Sequence, residues 1–208
     1  MNKSPHITVL IMAAGASTRM GAIKQLLPWK SSNLLLEAIS TIKNSKCSSF
    51  YVVLGANAEQ IKMECHFEKN RVTVVSNPDW SAGLGTSIGY GVKKVLESME
   101  RPDGILVCLA DQPLLTSAYM DSMIHAFNKV SSKKIVATNY GNKAGVPALF
   151  PASMYPELQL LRGDKGAKEL LESKKNELKL LDAKGQLTDI DTKNEYQQLL
   201  QILRNDDK

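Results

Sequence analysis

Residues 7–14 form an apolar run rich in β-branched side chains, and the run stops at Gly15. Its length and composition favour a central strand buried on both faces over a helix. Such a strand needs cover on each side of its sheet, which directs the chain toward the α/β class. Beyond the break, Ala13, Ala14, Gly15, Ala16 and Ser17 carry almost no side-chain volume. A ligand can therefore approach their backbone N–H groups directly, and Gly15 and Gly21 tolerate φ > 0. Arg19 and Lys24 add two cations within one loop's reach of an anion. A turn of small residues with two solvated cations is the plainer reading. The cations at these spacings favour an amide nest that holds a polyphosphate. No Gly-Lys-Ser/Thr comes after the small residues and the glycines do not fit G-x-G-x-x-G, so this is neither a Walker A loop nor a dinucleotide fingerprint.

Helical and extended patterns then alternate. Leu34, Leu35, Ala38, Ile39 and Ile42 have the spacing of an amphipathic helix over residues 33–44. Residues 50–54 read as a second buried strand closed by Gly55, with Asn57 capping a short helix through Met63. Residues 72–75 read as a third strand, and 88–99 as a helix. Strands alternating with helices imply βαβ units, a mostly parallel sheet and ligands over the carboxyl ends of its strands. The turn between the third strand and its helix carries Asn77, Trp80, Gly83 and Ser87. It is either a glycine-loosened helix start or an anion or ribose site at a helix N-terminus.

Residues 105–110 are apolar and end abruptly in Asp111, then Gln112 and Pro113. Thr116 is the better cap for the next helix, through Lys129, which leaves Asp111 at a rigid strand tip facing the Gly15 edge. Magnesium is bound by one or two carboxylates plus substrate phosphates, and Asp111 is one such carboxylate. A further strand is expected at 134–138, followed by a turn or mobile loop at 139–145. Residues 162–168 open a helix through Leu171, with Asp164 as either its N-cap or a site residue. Asp189 and Asp191 precede a helix over 195–203 that Thr192 can cap.

These blocks resemble, in order along the chain, the signatures of the MobA-like nucleotidyltransferases, in particular the molybdenum-cofactor cytidylyltransferase branch. They are the Gly15–Arg19–Lys24 loop, the Asn77–Trp80–Gly83–Ser87 spacing, Ala110-Asp111-Gln112-Pro113, the strand holding Pro147 and Phe150, Gly163-Asp164 with Gly166 and Ala167, and Asp189-Ile190-Asp191-Thr192. Two positions depart from the pattern: Val146 stands where many relatives have His, and Lys168 replaces an Arg. The resemblance implies one domain over residues 1–208 with a three-layer, Rossmann-like nucleotidyltransferase fold around a mostly parallel, twisted sheet. It implies Arg19, Lys24 and Asp111 as catalytic. Nucleotide contacts are expected from Ala13, Ala14, Gly15, Ser17, Arg19, Lys24, Asn77, Gly83 and Ser87. Acceptor contacts fall to Gln112, Pro147, Gly163, Asp164 and Lys168. Asp111 and Asp191 would hold Mg2+, with Asp189 behind them.

The implied reaction moves CMP from CTP to molybdopterin or its molybdenum-loaded form, because Ala13-Ala14-Gly15 matches relatives that use CTP rather than GTP. A molybdenum hydroxylase or its chaperone is the implied protein partner. Two other readings stay open: a nucleotidyltransferase that uses GTP or acts on a sugar or alcohol phosphate, and a non-catalytic escort of the cofactor.

Bulk properties narrow the classes. At 208 residues, 43% hydrophobic and 23% charged, the composition is that of a soluble globular protein. No apolar run approaches the roughly 20 residues that span a bilayer, and the polar N-terminus precedes no signal-peptide core. A cytoplasmic location without membrane attachment is the expectation. Cys47, Cys65 and Cys108 are odd in number and widely spaced, which argues for reduced thiols over a disulfide frame or zinc site. The net charge of +5, with few aromatics and no nucleic-acid module, fits attraction to small anions better than nucleic-acid binding. His6, His66 and His125 occupy no motif.

Overall fold

The computed structural model describes residues 4–70, 72–131, 133–141, 143–183 and 187–206. Asn142 of the expected 139–145 turn and the first three residues of the polar N-terminus lie outside them. In chain order the strands and α-helices are β1 (Ile7–Ala13), β2 (Pro28–Trp29), β3 (Ser32–Asn33), α1 (Leu34–Lys43), β4 (Ser49–Leu54), α2 (Ala58–Cys65), β5 (Thr73–Ser76) and α3 (Leu84–Leu96). The second half continues with β6 (Gly104–Leu109), α4 (Ser117–Lys129), β7 (Ile135–Asn139), β8 (Ala144–Pro151), α5 (Tyr155–Gln159), α6 (Lys168–Ser173), β9 (Leu178–Asp182) and α7 (Lys193–Asp206).

Seven strands form one sheet in the order β5-β4-β1-β6-β8-β7-β9. All pairs are parallel except the two made by β8, which runs antiparallel to β6 and β7. Helices cover both faces, and β1 shows why its sequence has no polar side. Ile7, Val9, Ile11 and Ala13 pack with α1, α2 and α4, whereas Leu10 and Met12 pack with α3, α5 and α6. Successive strand side chains point to opposite faces, so a strand in the middle layer is apolar at nearly every position; the exception, Thr8, is buried and shares a hydrogen bond with Ser49 Oγ at 2.8 Å. Burying each such Val, Leu or Ile contributes about 1.5–3 kcal/mol. A third apolar cluster (Met20, Trp29, Leu34, Ile190 and Leu199) joins the β2–β3 hairpin to α7.

Several boundaries differ from the sequence reading. Helix α3 starts at Leu84 rather than at residue 88, because Gly83, at φ 103°, turns the chain directly into it. Gly85 and Ser87 are buried inside that helix, where a side chain on Gly85 would strike the Arg162 carbonyl at 2.7 Å. Asn57 sits before α2 but in a left-handed conformation, and its side chain makes no cap bond. Asp164 is not a helix cap either, since α6 begins at Lys168 behind Ala167. Thr116 does cap α4, accepting a hydrogen bond from the Tyr119 amide. Strand β9, Leu178–Asp182, is missing from the sequence reading: it is a short edge strand whose apolar residues are all Leu, none β-branched or aromatic, and most of whose residues face solvent. No helix among the described residues is long and apolar enough to cross a membrane.

Candidate active site

The parallel strands β5, β4, β1 and β6 end at one edge of the sheet, and the loops leaving their carboxyl ends converge there. The main-chain turn after β1 lines a cleft of about 480 Å³ together with Arg19, Lys24, Gln25, Asp111, Asp164, Asp189 and Asp191. Ala13, Ala14, Gly15 and Ser17, all expected at the nucleotide, lie on its wall. A Cβ built on Gly15 would meet nothing within 4 Å, so no part of the chain requires glycine there. Left-handed conformations fall on Ser17, at φ 55°, and on Gly21, at φ 61°, and not on Gly15. Among the described residues the amides of Gly15, Ala16 and Ser17 donate no hydrogen bond to the loops and turns around them.

The acids arrive from two distant parts of the chain. Asp111 stands two residues past the end of β6, held by Ala110, whose amide donates to the Met12 carbonyl at 3.1 Å. Ile190 is fully buried and its amide donates to the Asp111 carbonyl at 3.1 Å, which seats Asp189 and Asp191 on either side of it. That position is locked by the start of α7, where Glu195 accepts from the Asp191 and Thr192 amides and Thr192 Oγ1 accepts from the Glu195 amide. This reciprocal arrangement is a capping box.

Lys24 Nζ lies 2.6 Å from Asp111 Oδ2 and 3.3 Å from Asp191 Oδ1, so a single ammonium bridges the two carboxylates expected to hold metal. Arg19 meets the other oxygen of Asp191 at 3.3 Å, across a well-exposed pair that contributes little stability. Asp111 Oδ1 is buried with no hydrogen-bond partner among the described residues. A buried carboxylate oxygen without a donor is costly unless a cation or water meets it. Among the described residues no three His, Cys, Asp or Glu side chains cluster to hold a metal by themselves. Two carboxylates with room beside them suit an ion such as magnesium, which takes the rest of its ligands from phosphates and water. An ion held by Asp111 and Asp191 would take the place that Lys24 occupies against them.

A second cleft, about 290 Å³, shares the wall of Leu84, Leu109 and Asp189 with the first. Its floor is apolar, from Ile88, Val107 and Leu171, and Lys143, Lys165 and Lys168 stand around it. Gln112 lies at the boundary, with Nε2 donating to Asp189 Oδ1 at 2.9 Å and to Tyr140 Oη at 3.1 Å. Tyr140 in turn donates to the Val146 carbonyl at 2.6 Å. Burial pushes the Tyr140 phenol well above its ordinary value, and the nearby Asp189 charge adds to the rise. Asp189 keeps contact with solvent, yet burial also raises its carboxyl. The Gln112 hydrogen bond opposes that rise, while Asp111 and Asp191 add to it.

Other expected contacts lie elsewhere. Asn77 and Ser87 are buried and bonded to each other, Nδ2 to Oγ, at 3.1 Å, tying the end of β5 to α3. Gly83 sits under Gly163, whose carbonyl carbon a Cβ at Gly83 would approach to 2.3 Å. The Gly83 and Gly163 blocks therefore meet as a packing contact between α3 and the turn at 162–164. Asp164 lines the first cleft, not the second, and Lys168 and Gln112 line the second. Pro147 is buried in β8 beside Val146, which lines the second cleft. Gln25, Tyr140, Lys143 and Lys165 line the clefts without having been singled out from sequence. Gln25 carried one available signal, its place directly after Lys24.

The sequence matches the MobA-like NTP transferase domain over residues 9–179. It is 32% identical over 203 residues to the purine catabolism protein PucB of Bacillus subtilis (strain 168), covering 93% of this chain and 96% of that one. Nicotine blue oxidoreductase of Paenarthrobacter nicotinovorans is 30% identical over 204 residues, covering 94% and 97%. Molybdenum cofactor cytidylyltransferase of Escherichia coli (strain K12) is 32% identical over 112 residues, about half of each chain at 53% and 54%. Among solved structures, Rv0371c of Mycobacterium tuberculosis H37Rv superposes with a TM-score of 0.82 at 26% identity, covering 96% of this chain and all (100%) of that one. A manganese complex of the same protein gives a TM-score of 0.77.

Proposed function

The chain belongs to the MobA-like NTP transferase family, and on that premise we propose that it is a magnesium-dependent cytidylyltransferase that moves CMP from CTP to a molybdopterin-type phosphate. The observation that carries this reading is the meeting of Lys24, Arg19, Asp111 and Asp191 at the mouth of a small-residue loop, beside a second cleft that shares one wall. An anionic phosphate oxygen of the acceptor attacks the α-phosphorus of the nucleotide. The bond to the β-phosphate oxygen breaks in line and pyrophosphate leaves. The acceptor is already a nucleophile, so no side chain has to remove a proton, and the rate comes from placement and charge.

In this reading Asp111 and Asp191 hold Mg2+, which when bound supplies Lewis-acid stabilisation of the charge that develops on the phosphates. Lys24 and Arg19 turn from the carboxylates to the β- and γ-phosphates, and the unengaged amides of residues 15–17 donate to the same oxygens. Gln112, Tyr140 and Lys168 orient the acceptor in the second cleft, and Asp189 keeps the Gln112 amide in place. Ala13-Ala14-Gly15 and the half-length similarity to a molybdenum cofactor cytidylyltransferase support cytosine as the base. A molybdenum hydroxylase or its chaperone is the protein partner that such an acceptor implies, in a cytoplasmic setting.

The test is magnesium-dependent pyrophosphate release with CTP, GTP, ATP and UTP, with molybdopterin and then sugar and alcohol phosphates as acceptors. Turnover restricted to CTP and molybdopterin is expected. Turnover only with GTP or with a sugar phosphate would replace the substrate assignment, and nucleotide binding without turnover on any acceptor would favour an escort.

A further inference from the structure

Gln25 is a side chain for which the proposed chemistry has no use, yet it is 6% exposed and stands in the wall of the first cleft. Its Nε2 donates to the Ala13 carbonyl at 2.9 Å and to the Gly15 carbonyl at 3.2 Å. Its Oε1 accepts from Ser17 Oγ at 3.4 Å. One buried amide thus holds alternate residues of the loop from β1. It also belongs to the same 3-10 turn as Lys24, Lys24–Leu26, so it ties the loop to the ammonium that faces Asp111.

The direction of these bonds matters more than their number. A polyphosphate repels carbonyl oxygens and attracts N–H groups. Drawing the carbonyls of Ala13 and Gly15 onto the Gln25 amide leaves the adjoining N–H groups as what the loop can offer a ligand. Ser17 is held in a left-handed conformation that a non-glycine residue adopts only when its surroundings impose it. A loop left to sample other conformations must be ordered at the moment of binding, and that cost is subtracted from affinity.

We propose that Gln25 is the positioning residue of the triphosphate site: without touching the phosphates, it fixes the loop of residues 13–17 so that its amides face them. The inference rests on the reading of that loop as a phosphate site. It concerns affinity for phosphates rather than for a base, so inorganic tripolyphosphate with magnesium is the probe. Two variants remove the donor while keeping the volume. Gln25→Met has no polar atom to offer the carbonyls. Gln25→Glu still accepts from Ser17 but turns a carboxylate toward two carbonyl oxygens.

Calorimetric titration of the full chain is expected to show tripolyphosphate affinity reduced about tenfold or more in both variants, the scale of a lost, preorganising hydrogen-bond pair. Hydrogen exchange read by mass spectrometry should show faster exchange confined to residues 13–20, with β4 and β6 as protected as in the wild type. If Gln25→Met does not stay folded, the exchange pattern of Gln25→Glu carries the test, because its added charge repels tripolyphosphate whatever the loop does. Undiminished tripolyphosphate affinity in a folded variant would overturn the inference while leaving the phosphate-loop reading intact. Exchange that accelerates equally across the whole sheet would reduce Gln25 to a packing residue and overturn it as well. A wild-type chain that binds neither tripolyphosphate nor any nucleoside triphosphate would remove both.

Discussion

Lys24 faces two carboxylates with one ammonium, and that geometry gives it opposite effects on the two ligands proposed for the site. Replacing it by Met removes a charge that repels a divalent cation from Asp111 and Asp191 and attracts a triphosphate. Lys24→Met should therefore bind Mn2+ more tightly than the wild type in the absence of nucleotide and CTP more weakly, the first readable from the Mn2+ electron paramagnetic signal and the second by calorimetric titration. Mn2+ affinity equal to that of the wild type would argue against a shared position. Asp111→Asn is expected to abolish turnover while its melting curve stays near that of the wild type, since a strand-tip carboxylate adds little to the core. Two glycines make a sharper contrast. Gly15→Ala meets nothing within 4 Å, so its melting temperature should hold while CTP affinity falls, because the new methyl group enters the cleft. Gly55→Ala would push a Cβ to 2.4 Å from that of Trp80 and 2.6 Å from the Ala14 carbonyl, an overpacking that costs about 1–3 kcal/mol and lowers stability first. At this scale the sequence was most legible where a charged residue interrupts an apolar run, as at Asp111. Residue types that serve both packing and binding were ambiguous, and Asn77, Ser87 and Gly83 turned out to bond or pack against the protein itself.

Helix α7 shows how the last element of the chain takes part in the site. Leu199 is buried in the cluster with Trp29 and Ile190, Tyr196 Oη bonds to the Pro28 carbonyl, and the Thr192–Glu195 capping box holds the Asp191 backbone. Leu199→Ala is expected to cost about 2–5 kcal/mol in chemical denaturation. Because the same cluster seats Ile190, it should also weaken Mn2+ binding in the presence of CTP; a stability loss with metal affinity unchanged would separate α7 from the site. The longer strands and most of the longer helices could be read from periodicity because two-sided burial and amphipathic faces leave different patterns. The two-residue strands β2 and β3 and the short helix α5 escaped it, and so did two further elements. Strand β9 is largely exposed and carries a lysine and an aspartate, so nothing in its composition demanded a sheet. The first turn of α3 is built from small residues that look like a loop, and the turn at Arg162 packs against them too closely for anything larger than Gly85.

For the whole molecule, one sheet runs from β5 to β9 with an apolar layer on each face, so the clefts and both layers share the same seven strands. The expectation of one domain over residues 1–208 then takes a measurable form: a single unfolding transition, with calorimetric and van't Hoff enthalpies in agreement. A separate early transition would divide the chain. The sequence by itself determined the layering, the site edge and the candidate chemistry. An all-apolar strand belongs in the middle of three layers, and a carboxylate or a run of small residues at its end belongs at the sheet's carboxyl edge. Only the tertiary structure decided which residues meet across that edge. It paired Lys24 with Asp111 and Asp191, closed Gln25 onto the loop, bonded Asn77 to Ser87 and placed Asp164 in the first cleft. Those pairings join residues up to 167 positions apart. They depend on strand order and on which helix packs where, and neither leaves a periodic trace in the chain.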